Sequence, residues 1–334
     1  MVVLHRKDSE SACSSLYQQR MVADEPLDTF KDDEKNLLLV EEVSMRKGIS
    51  MQSVTLRRTN SDNPATTCDE FSRYTGNNNT NNVLSDDSSL GERLKSGQTL
   101  LQLSNVLTDK ELKYFLLSSL AAASSHEANA DPDKGHLYTR MSTISAAQRE
   151  GKMETALPES LSNFMERILE RILSIVDQQL CPSVRETLFG LKGTDDDDNN
   201  NNNSNNSNNY DEHSLVCLFQ TGRLQFAKRE PAINVYRSPF GHIGMHKDNF
   251  DLTILVPLSC PEEDFSGGGT AFWHQKFPKE GLDDPAFILR PPAGTVLLFG
   301  GQVSHCGLHI RNGTRAVFVC SFSRSPINVK ENTM

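Results

Sequence analysis

Apolar positions recur at two different periods along this chain, and the change of period divides it. After Thr108, residues Leu112, Phe115, Leu116, Leu120 and Ala123 recur at helical spacing. Thr108 also stands three residues before Glu111, the spacing of a capping box in which each side chain satisfies an orphan amide of the first turn. A stronger stripe follows Pro158: Leu161, Phe164, Ile168, Ile172 and Ile175 share one face, while Glu166, Arg167, Glu170 and Arg171 lie mainly off it. That pattern predicts an amphipathic helix packed on a larger element. Cys181-Pro182 ends or kinks it, and a shorter helical piece runs to Phe189. The stretch 126–155 between the two helices reads as irregular. From Leu215 the texture changes. Short β-branched and aromatic runs alternate with Gly, Pro and Asp: Leu215–Phe219, Ala232–Tyr236, Leu252–Leu258, Thr270–His274, Phe287–Arg290, Thr295–Phe299 and Arg315–Phe322. Seven short strands without intervening helices predict a sandwich or jelly roll rather than βαβ units.

The remaining segments carry no period. Residues 1–95 are rich in Ser, Thr, Asn and Asp and offer too little apolar surface to offset the entropy of ordering, so disorder is the expectation. Asp195–Asp198 and the tract 199–209, nine of whose eleven residues are asparagine, form a low-complexity insert. The organisation expected is a disordered region 1–95, a helical region 96–190 packing on a barrel, an Asp/Asn-rich insert 191–212, a catalytic barrel 213–326 and a tail 327–334.

Charge sharpens this division. The net charge is −10, and from His213 onward 12 basic residues face 10 acidic ones, so the acidity sits in the front of the chain. An acidic chain without a basic patch argues against a nucleic-acid partner. Seven scattered cysteines, odd in number and with no C-x-x-C pair, suit reduced thiols. There is neither the apolar run of a signal peptide after Met1 nor a stretch long enough to span a membrane. An intracellular protein, cytoplasmic or nuclear, is the expectation, with no sign of oligomerisation.

The chemistry lies in the β-rich part. His246 and Asp248 are two apart, so on an extended segment both point to one face. His305 follows 59 residues later and Arg315 ten beyond that. Two imidazoles and a carboxylate on three corners of an octahedron bind Fe(II) and leave positions open for a cosubstrate and O2. An arginine just past the distal histidine can hold a cosubstrate carboxylate through a charge-assisted fork. His309 is a rival for the distal position; His305 is preferred because Arg315 then falls at the expected offset. His242 and His274 read as surface or supporting groups. Gly267–Gly269 read equally as a hairpin turn or as part of the mouth of the site.

Three segments resemble the Fe(II)/2-oxoglutarate dioxygenases of the prolyl 4-hydroxylase-like type: YRSPFGHIGMHKD from Tyr236 to Asp248, FSGGGTAFW from Phe265 to Trp273, and PAGTVLLF from Pro292 to Phe299 followed by His305 and Gly313-Thr314-Arg315. The resemblance covers roughly residues 213–325. It implies a double-stranded β-helix with flanking helices and makes His246, Asp248 and His305 the iron ligands. It makes Arg315 the partner of the 2-oxoglutarate C5 carboxylate, Tyr236 a wall of the cosubstrate pocket, and Thr253 a further candidate there. Fe(II), 2-oxoglutarate and O2 are implied, with ascorbate as a possible requirement. The reaction implied hydroxylates an unactivated C–H, with release of succinate and CO2. Asp248 stands where halogenating relatives carry a small residue, which favours hydroxylation. Val317 stands where some branches carry the serine of Arg-x-Ser, and Arg315 where many prolyl 4-hydroxylases carry lysine. The resemblance therefore favours a peptidyl side chain such as proline without fixing it. The alternatives are an oxygenase of small molecules and a non-catalytic barrel that binds or scaffolds. A nucleic-acid demethylase fits less well, because the arginine spacing and the basic patch are missing.

Overall fold

The computed structural model describes residues 50–55, 88–128, 138–190, 214–273, 285 and 287–324. Both expected helices form. α2 (Asp109–Ala128) starts at the Thr108–Glu111 capping box: the Glu111 N–H donates to Thr108 Oγ1 at 3.2 Å, and the Thr108 N–H to Glu111 Oε2 at 2.8 Å. α4 (Glu159–Gln179) buries Leu161, Phe164, Ile168, Ile172 and Ile175. Phe115 of α2 meets Phe164 of α4 at 5.3 Å and Phe318 at 5.9 Å, joining the helical layer to the sheet beneath it. Each such side chain contributes about 1.5–3 kcal/mol when fully buried. α1 (Ser88–Lys95), α3 (Ile144–Glu150), α5 (Pro182–Phe189) and α6 (Leu215–Gln220) complete the helices.

The strands form two sheets. The larger runs β1 (Ser50–Thr55), β2 (Thr99–Ser104), β11 (Val296–Phe299), β7 (Leu252–Pro257), β13 (Ile310–Arg324), β5 (Ala232–Arg237) and β3 (Thr139–Ser142). β4 (Leu224–Phe226) and β8 (Phe265–Gly267) also pair with β13. The smaller sheet runs β10 (Phe287–Leu289), β9 (Thr270–Trp273), β12 (Ser304–Gly307) and β6 (Ile243–His246). Between β5 and β13 the chain passes back and forth between the two sheets, and all pairings are antiparallel. That winding is the double-stranded β-helix, or jelly roll.

Strand periodicity explains how the large sheet serves two purposes. On β13, Ala316, Phe318, Cys320 and Phe322 join the core under the helices, while Arg315, Val317, Val319 and Ser321 line a cavity between the sheets. On β7, Leu252, Ile254 and Val256 face the helices, and Thr253 and Leu255 face the cavity.

Several elements differ from the sequence reading. Leu215–Phe219, expected as a strand, is the helix α6. Ser214 Oγ accepts from the Cys217 N–H at 3.0 Å, and Asp177 accepts the Leu215 and Val216 N–H groups at 3.0 and 3.1 Å, so three orphan amides of the first turn are satisfied. The irregular stretch 126–155 contains β3, α3 and a 3-10 turn, Met153–Thr155. The region 96–190 is not helical alone, since β2 and β3 extend the large sheet on opposite flanks. Within 1–95, expected to lack structure, lie β1 and α1: β1 pairs along its length with β2, and α1 buries Leu90 and Leu94. The insert 191–212 falls outside the described residues. Cys181, Cys217, Cys306 and Cys320 are free thiols as expected; Cys260 departs from that expectation and is disulfide-bonded. Among the described residues no helix is long and apolar enough to cross a membrane.

Candidate active site

β6 ends on His246, and the chain then turns back. Asn249 takes a left-handed conformation (φ 61°), and its N–H donates to the Gly301 carbonyl at 2.9 Å. A Cβ on Gly301 would lie 2.4 Å from the Phe250 carbonyl oxygen, so only glycine lets the two loops meet. This closure places Asp248 over the sheet. His305, on the neighbouring strand β12, pairs in register with His246. One ligand atom from each of His246, Asp248 and His305 can be chosen so that all lie within 4.8 Å of one another. The imidazole Nε2 atoms of His246 and His305 lie 3.5 and 3.6 Å from the two Asp248 oxygens.

Hydrogen bonds fix the imidazoles for ligation. The Nδ1 atoms of His246 and His305 sit 2.8 and 3.0 Å from the carbonyls of Gly244 and Val303. A carbonyl can only accept, so each Nδ1 carries the proton and each Nε2 lone pair is left for a metal. Burial lowers the His305 pKa and keeps that ring neutral. Burial also acts to lower His246, but the Asp248 carboxylate outweighs it and raises that pKa. Burial alone would raise Asp248; its contacts with His246, His305 and the Thr253 hydroxyl overcome it and hold the carboxyl at about 2. The Phe299 ring, 4.9 Å from His305 and edge-on to it, forms the apolar backing.

The expected residues meet in one cavity, lined by Tyr236, His246, Asp248, Thr253, His305 and Arg315. Arg315 is 4% exposed. Its Nη2 donates to Thr270 Oγ1 at 2.8 Å, and its guanidinium stands 5.5 Å above the Tyr236 ring. Gly307 lies beside it; a Cβ there would press on Ile243 Cγ2 at 2.8 Å and meet Arg315 Nη1 at an ordinary contact distance of 3.4 Å. Burial lowers the Arg315 pKa, and no carboxylate among the described residues forms an ion pair with it.

Thr253 lines the cavity, and its hydroxyl is engaged there. Its Oγ1 lies 2.6 Å from Asp248 Oδ2 and 3.2 Å from Ser321 Oγ. A hydroxyl has one proton, and the carboxylate can only accept; Thr253 therefore donates to Asp248 and receives from Ser321. His309 lies against His242, the ring centroids 3.9 Å apart and the planes tilted, outside the three-residue cluster, and His274 lies outside the described residues. Sequence reasoning missed Arg140, Glu230, Asn234, Thr270 and Ser321, which line the same cavity. The signal for Arg140 was weak because its strand, β3, has only four residues.

No protein-family model matches the chain, and no curated protein matches it. Solved structures do. An oxidoreductase of the 2OG-Fe(II) oxygenase family from Burkholderia pseudomallei is 23% identical over 30% of this chain and 44% of its own, with a TM-score of 0.24; the chain thus spans under half of its length. A dioxygenase for auxin oxidation in rice is 18% identical over 70% of this chain and 76% of its own, with a TM-score of 0.40. A collagen prolyl hydroxylase of Paramecium bursaria Chlorella virus-1 is 13% identical over 68% of this chain and 96% of its own, with a TM-score of 0.37. The fold and the site together define a jelly roll bearing two histidines and a carboxylate in metal-ligating array.

Proposed function

We propose that this chain is an Fe(II)- and 2-oxoglutarate-dependent oxygenase that hydroxylates an unactivated C–H of its substrate, releasing succinate and CO2. One observation carries the reading: a buried arginine with no carboxylate partner among the described residues shares a cavity with the His246–Asp248–His305 array. A buried, unpaired cation is unfavourable on its own and is stabilised by an anionic ligand. The donor set fits iron, since two neutral imidazoles and one carboxylate are the facial array that leaves positions open. When bound, the metal and 2-oxoglutarate supply the oxidising power toward O2.

The protein's own contribution is positioning. Arg315 offers a planar fork to the far carboxylate of the cosubstrate, with Tyr236 packed against its face. The Gly244 and Val303 carbonyls hold the imidazoles in the ligating tautomer. Ile243, Leu255, Val317 and Val319 line the cavity and exclude water from the reacting centre. A peptidyl side chain such as proline is the first substrate reading, on the strength of the motif pattern. A small molecule is the second, and Arg140 in the cavity wall favours it.

The test uses the full chain with Fe(II), ascorbate, 2-oxoglutarate and pools of candidate substrate, following succinate and bound metal. One iron per chain and 2-oxoglutarate turnover are expected, and His246→Ala, Asp248→Ala and His305→Ala should each lose both. His309→Ala should retain both. Full activity in His305→Ala with loss in His309→Ala would refute the ligand assignment.

A further inference from the structure

We propose that the cavity contains a second anion subsite, built on Arg140, which takes a carboxylate belonging to the substrate. This rests on reading the cavity as an oxygenase site. Arg140 enters from β3, where its Cα faces Asn234 of β5. Its Nη2 donates to Glu230 Oε1 at 2.6 Å, and its Nη1 reaches Asn234 Oδ1 at 3.5 Å. Its remaining N–H groups meet no acceptor among the described residues, although Arg140 lines the cavity. A guanidinium held along one edge presents its other donors in a fixed plane, which is the geometry that recognises a carboxylate.

Glu230 forms an ion pair with Arg140 but engages only part of its guanidinium. Its Oε2 accepts the Ser321 N–H at 2.5 Å, so both of its oxygens are engaged. Two more guanidiniums crowd the same point without reaching that carboxylate: Arg149 donates to the Glu230 carbonyl, and Arg229 to the Arg140 carbonyl. The acids nearby, Glu150 and Glu154, lie beside Lys228 and Lys152 and also act on Arg229. Three arginines therefore surround one buried carboxylate. The rest of the cavity is balanced by contrast, since a divalent metal, Asp248, a dianionic cosubstrate and Arg315 sum to zero. Arg315 is tied to Thr270 on the small sheet, whereas Arg140 is tied to Glu230 on the opposite flank of β5. The two cations thus hold different walls of the cavity.

The subsite is tested by binding, not turnover. The full chain is loaded with Mn(II) and saturating 2-oxoglutarate, so that Arg315 is occupied. Hexanoate and phenylacetate are then titrated against hexanamide and phenylacetamide by ligand-observed NMR. A peptide arm compares an acetylated tripeptide with a free C-terminal carboxylate against its C-terminal amide. The acids should bind about tenfold or more tightly than the amides, the range of a charge-assisted hydrogen bond. Arg140→Gln should erase that preference. Because it leaves Glu230 buried and unpaired, Arg140→Gln/Glu230→Gln is made beside it, and the preference should be lost there too. Whichever arm shows the effect identifies the carboxylate's source. Equal binding of acids and amides, or a preference that survives in the double variant, would overturn the proposal. Should Mn(II) and 2-oxoglutarate fail to bind, the oxygenase reading falls, and the titration repeated on the unloaded protein still scores Arg140.

Discussion

Replacing Arg315 with methionine separates two quantities that change together in most site variants. The side chain is buried, makes one hydrogen bond to Thr270 and has no acid partner among the described residues. Methionine removes the desolvation penalty of the charge, a gain of about 1–4 kcal/mol by analogy with buried ion pairs replaced by apolar groups. Against this stand the contact with Tyr236, about 0.5–2 kcal/mol, and the Thr270 hydrogen bond, about 1 kcal/mol. The two sides nearly cancel, so the unliganded variant should unfold within about 1–2 kcal/mol of the parent. Ligand binding should behave differently. At a 2-oxoglutarate concentration one hundred times the parent Kd, linkage stabilises the parent by ~2.7 kcal/mol. Loss of the fork weakens binding about tenfold to a hundredfold. The same ligand concentration then stabilises the variant by only ~1.4 to ~0.4 kcal/mol. Urea unfolding of metal-loaded protein, with and without 2-oxoglutarate, measures all four values. Arg315→Lys should fall between them, keeping the charge without the fork. An Arg315→Met protein that still gains the parent's full increment from 2-oxoglutarate would refute the assignment of this arginine.

Two further outcomes follow from other contacts. Thr253→Val removes the hydroxyl that holds Asp248 Oδ2 and should weaken Mn(II) or Co(II) binding about 10–100-fold, the usual effect of losing a group that orients a ligand; Thr253→Ser should restore it, and metal titrations showing parent affinity in Thr253→Val would count against this role. Burial acts to raise the Glu111 pKa, but hydrogen bonds from Arg171 and Thr108 outweigh it and hold the carboxyl below its ordinary range. Its contribution is therefore complete above the unfolded value near ~4.3 and is lost as pH falls through the lower folded value. The parent should exceed Glu111→Gln by about 1–3 kcal/mol at pH 7, with urea midpoints converging toward pH 3; a gap that stays constant with pH would show that the charge is not the cause.

How much could be read from the sequence depended on burial as much as on propensity. α4 was legible because only one of its faces is buried, so polar and apolar residues separate around it. α2 was legible from its cap. The central strands β7 and β11 were legible as apolar runs, yet their two faces could not be told apart, because helices cover one and the cavity walls adjoin the other. α6 was misread for a related reason: Leu-Val-Cys-Leu-Phe has no period, and only Ser214 marked a helix start, while Asp177 lies 38 positions away from the first amide it caps. The site separates in the same way. His246, Asp248, His305 and Arg315 carried a spacing that sequence retains. Arg140 and Glu230 carried none, since 90 positions separate two residues that form one ion pair. Ser321 was hidden in the otherwise apolar run from Ala316 to Phe322.

The position of β13 in the large sheet has a consequence for how the protein is made. It lies between β5 and β7 and bonds to both, yet among the described residues it is the last strand in chain order. β2 waits as well: Leu103 pairs with Val296, roughly two hundred positions later. At about 5–20 residues per second, β2 leaves the ribosome ~10–40 seconds before its partner exists. Until β13 is made, β5 and β7 present open hydrogen-bonding edges and apolar faces, the features that recruit other chains. Nascent chains halted before Ile310 should therefore bind holding chaperones and resist release, because the strand that closes the sheet and delivers Arg315 to the cavity has not yet been made.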